Sequence, residues 1–339
     1  MTARFSFVAR WKTAGVALAW LLLFWVVGVG VTILLSAVVP GHGERGGVPW
    51  WLARDGLEQA VGFAVATVVV GYRLDRHSWE RMGWRFDRRL PLRALQGAGI
   101  GAALAGIAVG LACVAGGATV HLTPTLGKWP GIAGPLAVGL VAAALSEELA
   151  FRGYPLRRLA EAIGPVRALV VISVGFGCVH LANPNATLFS TANIVVAGVW
   201  LSVAFFSPGG MPLAWGLHLG WNGALSLLFD APVSGWAFDV PGVDYAPGSR
   251  GWIDGGRFGP EGGLAATVAL LVGTLLARRR SRLERLPFAF WAGLAGLRRN
   301  RDTLSPAGDG APVCAGSALG IGRGASGAGA ASRLVPGAG

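Results

Sequence analysis

The sequence predicts an all-α polytopic membrane protein with about eight transmembrane helices and both termini in the cytoplasm. Three observations carry this. Of 339 residues, 53% are hydrophobic and only 14% charged, whereas soluble domains carry about 25% charged residues. The mean hydropathy is +0.55. The arginines gather in clusters between apolar runs instead of spreading along the chain, which is how loop charge records orientation in a bilayer. The net charge of +12 therefore reads as membrane orientation. No nucleic-acid-binding motif accompanies it, so no nucleic acid partner is expected. Fourteen tryptophans suit a chain with many membrane–water interfaces.

The elements follow in order. Residues 13–39 form the first span, too long for a signal-peptide core and without a small-x-small cleavage site. Residues 57–72 form a shorter second, with Trp50 and Trp51 as interfacial anchors, and 94–120 hold a glycine-rich third. Residues 129–151 are the fourth. The runs 168–181, 188–206, 210–229 and 262–277 complete the set. Alternating these spans puts four basic groups on one side: Arg4 to Lys12, Arg73 to Arg93, Arg157 to Arg167, and Arg278 to Arg282. That side is the cytoplasm, and the loop 230–261 faces away from it. The segments 77–86 and 286–297 are expected along the cytoplasmic interface. From residue 301 onward Gly, Ala, Ser and Pro dominate, and a dispensable, disordered tail is expected. The organisation is thus 1–125, an N-terminal membrane region; 126–230, a core; 231–300, an outer loop, last span and basic segment; and 301–339, the tail.

Ionisable residues inside spans are costly and mark function by default. The fourth span ends in "ALSEELAFRGY". Glu148 and Arg152 are four apart and share a helix face. Glu147 is turned about 100° away and has no local partner, as suits a group prepared for acid–base work. The fifth span sets Phe176 four residues before His180, and the seventh sets His218 four before Asn222. A buried structural ion network would explain the fourth span alone. Three polar pairs on three spans point to a shared site, and the depths counted from the loop ends permit one that opens to the cytoplasm. Measured that way, His180 falls deeper than Glu147 and His218. Ser146 has no base arranged for it. The cysteines Cys113, Cys178 and Cys314 show no paired spacing, and Cys178, two residues before His180, is read as a packing residue rather than a ligand.

Together these motifs resemble the CPBP or Abi family of CAAX-processing and bacteriocin-processing intramembrane endopeptidases. That family carries E-E-x-x-x-R, F-x-x-x-H and H-x-x-x-N on separate spans. Here they stand as Glu147-Glu148-x-x-x-Arg152, Phe176-x-x-x-His180 and His218-x-x-x-Asn222, in the same order, over roughly residues 131–229. The resemblance implies a multi-pass plasma-membrane peptidase acting on a membrane-associated protein or peptide within the lipid bilayer. It implies that Glu147 and His180 activate a water, that His218 and Asn222 form an oxyanion hole, and that Glu148 and Arg152, with Phe176, support the site. Metal dependence stays open. Glu147, His180 and His218 are a possible ligand set for zinc or another divalent metal, yet the pattern H-E-x-x-H is absent and the assigned roles work without a cofactor. Two other functions stay open: a catalytically idle membrane scaffold or immunity protein, and an ion- or proton-coupled transporter, although no internal repeat is visible. Eukaryotic relatives clip prenylated tails. The richness in Gly, Ala, Arg and Val suggests a GC-rich bacterial source, for which a bacteriocin precursor or a membrane-anchored regulator is the expected kind of substrate.

Overall fold

Apolar runs of span length can satisfy their backbone polar groups in a bilayer only as helices or closed barrels, and here they are helices. The computed structural model describes residues 2–38, 43–124, 127 and 129–280. The expected interfacial segment 286–297 and the tail from 301 lie outside the described residues. The helices are α1 (Thr2–Val38), α2 (Gly43–Ala66), α3 (Leu90–Leu111), α4 (Trp129–Phe151), α5 (Arg157–Ile163), α6 (Pro165–Val179), α7 (Leu188–Phe205), α8 (Gly210–Gly223), α9 (Gly251–Asp254) and α10 (Leu264–Arg280). An antiparallel ribbon pairs β1 (Thr119–Leu122) with β2 (Val243–Ala246), Thr119 opposite Ala246.

Among the described residues, six helical stretches are long and apolar enough to cross a membrane: Thr13–Val38, Gly47–Leu74, Leu90–Gly116, Gly131–Ile163, Pro165–Ala182 and Leu188–Phe205. The chain is an all-α, multi-pass membrane protein, as a plasma-membrane location requires. Two of the eight expected spans are not among the six. The helix α8 contains His218, Asn222 and four glycines, and α10 has 17 residues and ends in three arginines.

The second span is longer than its hydropathy suggests. It runs from Gly47 to Leu74 and takes in Trp50, Trp51 and the charged residues Arg54, Asp55 and Glu58. These charges are tolerated because they find partners. Arg54 Nε lies 2.7 Å from Glu58 Oε1, Ser36 of α1 donates to Glu58, and Gln59 Nε2 donates to Asp55 at 2.7 Å. The segment 77–86 is a series of turns, not a surface helix. His77 and Met82 are buried in it.

That loop meets the end of α4 and α5. Tyr154 donates to Asp75 at 2.8 Å, Arg158 Nε lies 2.8 Å from the same carboxylate, and His77 Nε2 lies 3.0 Å from Glu161. Two of the arginine-rich segments therefore stand at the same end of the bundle. At the other end are the ribbon and a contact between Trp51 and Trp236, rings 5.1 Å apart.

Glycine sets how closely two pairs of helices approach. In α3, Gly97 and Gly101 are four apart; in α8, Gly216 and Gly220 are four apart. They face one another, so that a Cβ on Gly101 would lie 2.1 Å from the Leu217 carbonyl oxygen and one on Gly220 only 2.0 Å from that of Ala98. Small-xxx-small faces bring membrane helices to backbone contact in this way. Likewise α2 meets α4 through Gly56 and Gly139, and a Cβ on Gly139 would lie 2.8 Å from the Ala53 nitrogen. Gly220→Val is expected to lower the melting temperature of the detergent-solubilised protein, at the upper end of the roughly 1–3 kcal/mol that overpacking costs. An unchanged melting temperature would mean that α3 and α8 are not in contact.

Candidate active site

Three helices bring the sequence motifs together. The helix α4 carries Glu147 and Glu148, then passes into a π-helical turn, Arg152–Leu156. Pro155 has no N–H to give the ladder, and such residues force a π-bulge or kink. The turn places Arg152 under Glu148. Arg152 Nη1 donates to Glu148 Oε1 at 3.0 Å, and both side chains are wholly buried. The remaining face of the guanidinium is covered by Phe176, whose ring centroid is 4.0 Å from Arg152 Cζ, a cation–π contact. The Phe176 ring also packs on His180, with centroids 4.7 Å apart.

The histidines are oriented by what their Nδ1 atoms touch. His180 Nδ1 lies 2.7 Å from the Phe176 carbonyl, which can only accept, so Nδ1 carries the proton and the Nε2 lone pair is left facing the site. His218 Nδ1 lies 3.0 Å from Glu148 Oε1, so it too is protonated there. Both Nε2 atoms point to Glu147: Oε2 is 3.6 Å from that of His218 and 3.9 Å from that of His180. These gaps are longer than a direct hydrogen bond. Glu147 Oε2 is buried and has no hydrogen-bond donor.

The glutamates are thus distinct. Glu148 is spent on Arg152 and His218, while Glu147 faces a cavity of about 860 Å3 that also holds His180, His218 and Asn222. The Ser146 hydroxyl is spent on the Ala143 carbonyl at 2.8 Å. The walls include Trp236 and Phe238, from the loop expected on the side away from the arginines. The cavity therefore reaches toward that side, where sequence depths had permitted an opening to the cytoplasm.

Sequence reasoning missed a second layer around the site. Glu261, in the loop before α10, accepts from the Trp221 indole at 2.7 Å and from the Ser234 hydroxyl at 3.0 Å. It thereby fixes the residue next to Asn222. Asn193 of α7 donates to the Glu261 and Gly263 carbonyls at 2.9 and 2.8 Å. Ser234 and Glu261 sit beside glycines in loop sequence without periodicity, so nothing local marks them, whereas Asn193 is a polar residue inside an apolar run and carried a signal. The glycine pairs of α3 and α8 were readable, since both have the four-residue spacing.

Among the described residues, no group of three His, Cys, Asp or Glu side chains is set to hold a metal. A tetrahedral zinc with bonds near 2.0–2.1 Å needs its ligand atoms about 3.3 Å apart, and the Glu147–His180 and Glu147–His218 separations of 3.9 and 3.6 Å exceed that. As placed, the trio does not close a metal site. Chelator treatment of the purified protein is expected to leave activity unchanged. Loss of activity that zinc restores would overturn this.

A partly buried Glu/His cluster that shares a cavity with Asn222 inside a multi-pass helical bundle defines a membrane-embedded site for acid–base chemistry. Residues 129–224 match the family model described as Type II CAAX prenyl endopeptidase Rce1-like, and that domain supports classification as a CAAX-protease-like peptidase. The match covers just over a quarter of the chain and contains all seven motif residues. No curated protein and no solved structure matches the chain.

Proposed function

We propose that the chain is an intramembrane endopeptidase that hydrolyses a peptide bond of a membrane-associated protein or peptide, with 126–230 as its catalytic core. The observation that carries this reading is the Glu147 carboxylate oxygen, buried without a donor and faced by two imidazole Nε2 atoms. Two acceptors held at 3.9 Å repel unless a proton lies between them. A water donating to Glu147 Oε2 and His180 Nε2 satisfies both, and the same contacts deprotonate it as it attacks a carbonyl carbon. The proton passes to the departing amine nitrogen as the C–N bond breaks.

The oxyanion needs N–H donors. Asn222 has an amide. His218 donates from Nε2 only as an imidazolium, since Nδ1 is already committed to Glu148. The direct test compares membrane proteomes of a deletion strain restored with wild type or with Glu147→Ala. Precursors should accumulate in the latter. A scaffold or transporter predicts no difference, and that result would overturn the reading.

The proposed topology has eight spans, with α8 crossing inside the bundle, α10 crossing at its rim with an exposed apolar face, and both termini in the cytoplasm. Single cysteines in the loop 80–90 should label from the cytoplasm and those in 235–255 from the other side. Labelling of residue 245 from the cytoplasm would refute it.

A further inference from the structure

We propose that Asp55, with Gln59 one turn along α2, is a recognition site for a basic side chain, Lys or Arg, of the peptide that enters the cavity. This rests on the endopeptidase reading above and adds a substrate class to it. Both residues line the same cavity as Glu147, His180 and Asn222, yet they come from a helix outside the segment matched to the family model.

Charge is the first argument. Among the described residues, the cavity lining includes three carboxylates, Asp55, Glu147 and Glu261, two histidines, and no Lys or Arg. Two of these carboxylates have their work. Glu147 faces the imidazoles, and Glu261 accepts from Trp221 and Ser234. Asp55 is held by the uncharged Gln59 amide at 2.7 Å. The adjacent Arg54 directs Nε to Glu58 and Nη2 to the Ser36 carbonyl, toward α1. A residue one position on points about 100° around the helix, which is how the pair Arg54–Glu58 serves the α1–α2 seam while Asp55 and Gln59 serve the cavity.

Placement is the second argument. A carboxylate inside a membrane span is expensive and marks function by default, and neither the fold nor the proposed hydrolysis uses this one. Its position relative to Glu147 is fixed, because α2 and α4 meet at Gly56 and Gly139. The wall around it is apolar, with Trp25, Leu52 and Phe63. That is the surrounding a Lys or Arg needs, with an apolar path for the stem and an acceptor at the tip.

The test uses the full-length protein in detergent and a library of apolar peptides carrying a single Lys, Met or Glu at successive positions, with products read by mass spectrometry. Wild type should prefer Lys over Met at one position relative to the cleaved bond. Asp55→Asn, which keeps the shape, should reduce the ratio of their kcat/KM about tenfold or more. Asp55→Lys should turn the preference toward Glu. Binding of the Lys peptide to Glu147→Gln protein, with and without Asp55→Asn, gives the same comparison without turnover. A Lys-to-Met ratio equal in wild type and Asp55→Asn, in cleavage and in binding, would overturn the recognition site while leaving the peptidase standing. Cleavage that persists in Glu147→Gln would instead overturn the proposed role of Glu147 as the base, and the binding arm would still decide Asp55.

Discussion

Glu147→Gln is expected to yield a protein that folds and melts like wild type but has lost at least the roughly 10²–10⁴ in rate that a general base supplies. The side chain keeps its shape, and no partner in the fold depends on its charge. An amide N–H in place of Oε2 would face the His180 Nε2 lone pair 3.9 Å away and could donate to it, so stability should hold. What is lost is an acceptor able to take a proton from water in concert with His180. Peptide cleavage and melting temperature measured on one detergent preparation check both halves. A near-wild-type rate would rule Glu147 out as the base.

Glu148→Ala should behave in the opposite way, with a loss of stability of about 3–5 kcal/mol, the cost of breaking a buried ion pair from one side. The wholly buried Arg152 guanidinium would be left with only the Phe176 ring. His218 would lose the acceptor that sets its tautomer and direction. Melting temperature and yield should both fall, and whatever folds should be inactive as well, since the oxyanion donor is no longer aimed. If Glu148→Ala were stable while Glu147→Gln failed to fold, the roles of the two glutamates would be reversed.

The motif geometry was legible because it is helical and local. Residues four apart on one helix share a face whatever surrounds them, so Glu148 with Arg152 and Phe176 with His180 were readable as pairs. How the pairs meet was less legible. Counting depth from Arg157 and Arg158 as the edge of the fourth span sets His180 too deep. The helix instead continues through α5 to Ile163 and turns at Gly164, where φ is 89°. Counted from that turn, Glu147 lies 17 residues back and His180 16 residues on, about 25 and 24 Å at the helical rise. The extent of α2 was hidden for a different reason. Hydropathy charges Arg54, Asp55 and Glu58 in full, whereas Ser36 and Gln59 satisfy two of them. The clasp of Glu261 on Trp221 joins residues 40 apart, a separation over which no periodicity speaks.

The glycine seam between α3 and α8 means that inheritance and chemistry divide this chain at different places. The segment that shares its pattern with other proteins ends at residue 224 and begins at 129, yet the helix that bears His218 and Asn222 leans its backbone on Gly97 and Gly101, some thirty residues upstream of that border. Excised along the line of its ancestry, the segment would take every motif with it and leave behind the surface that holds two of them in place.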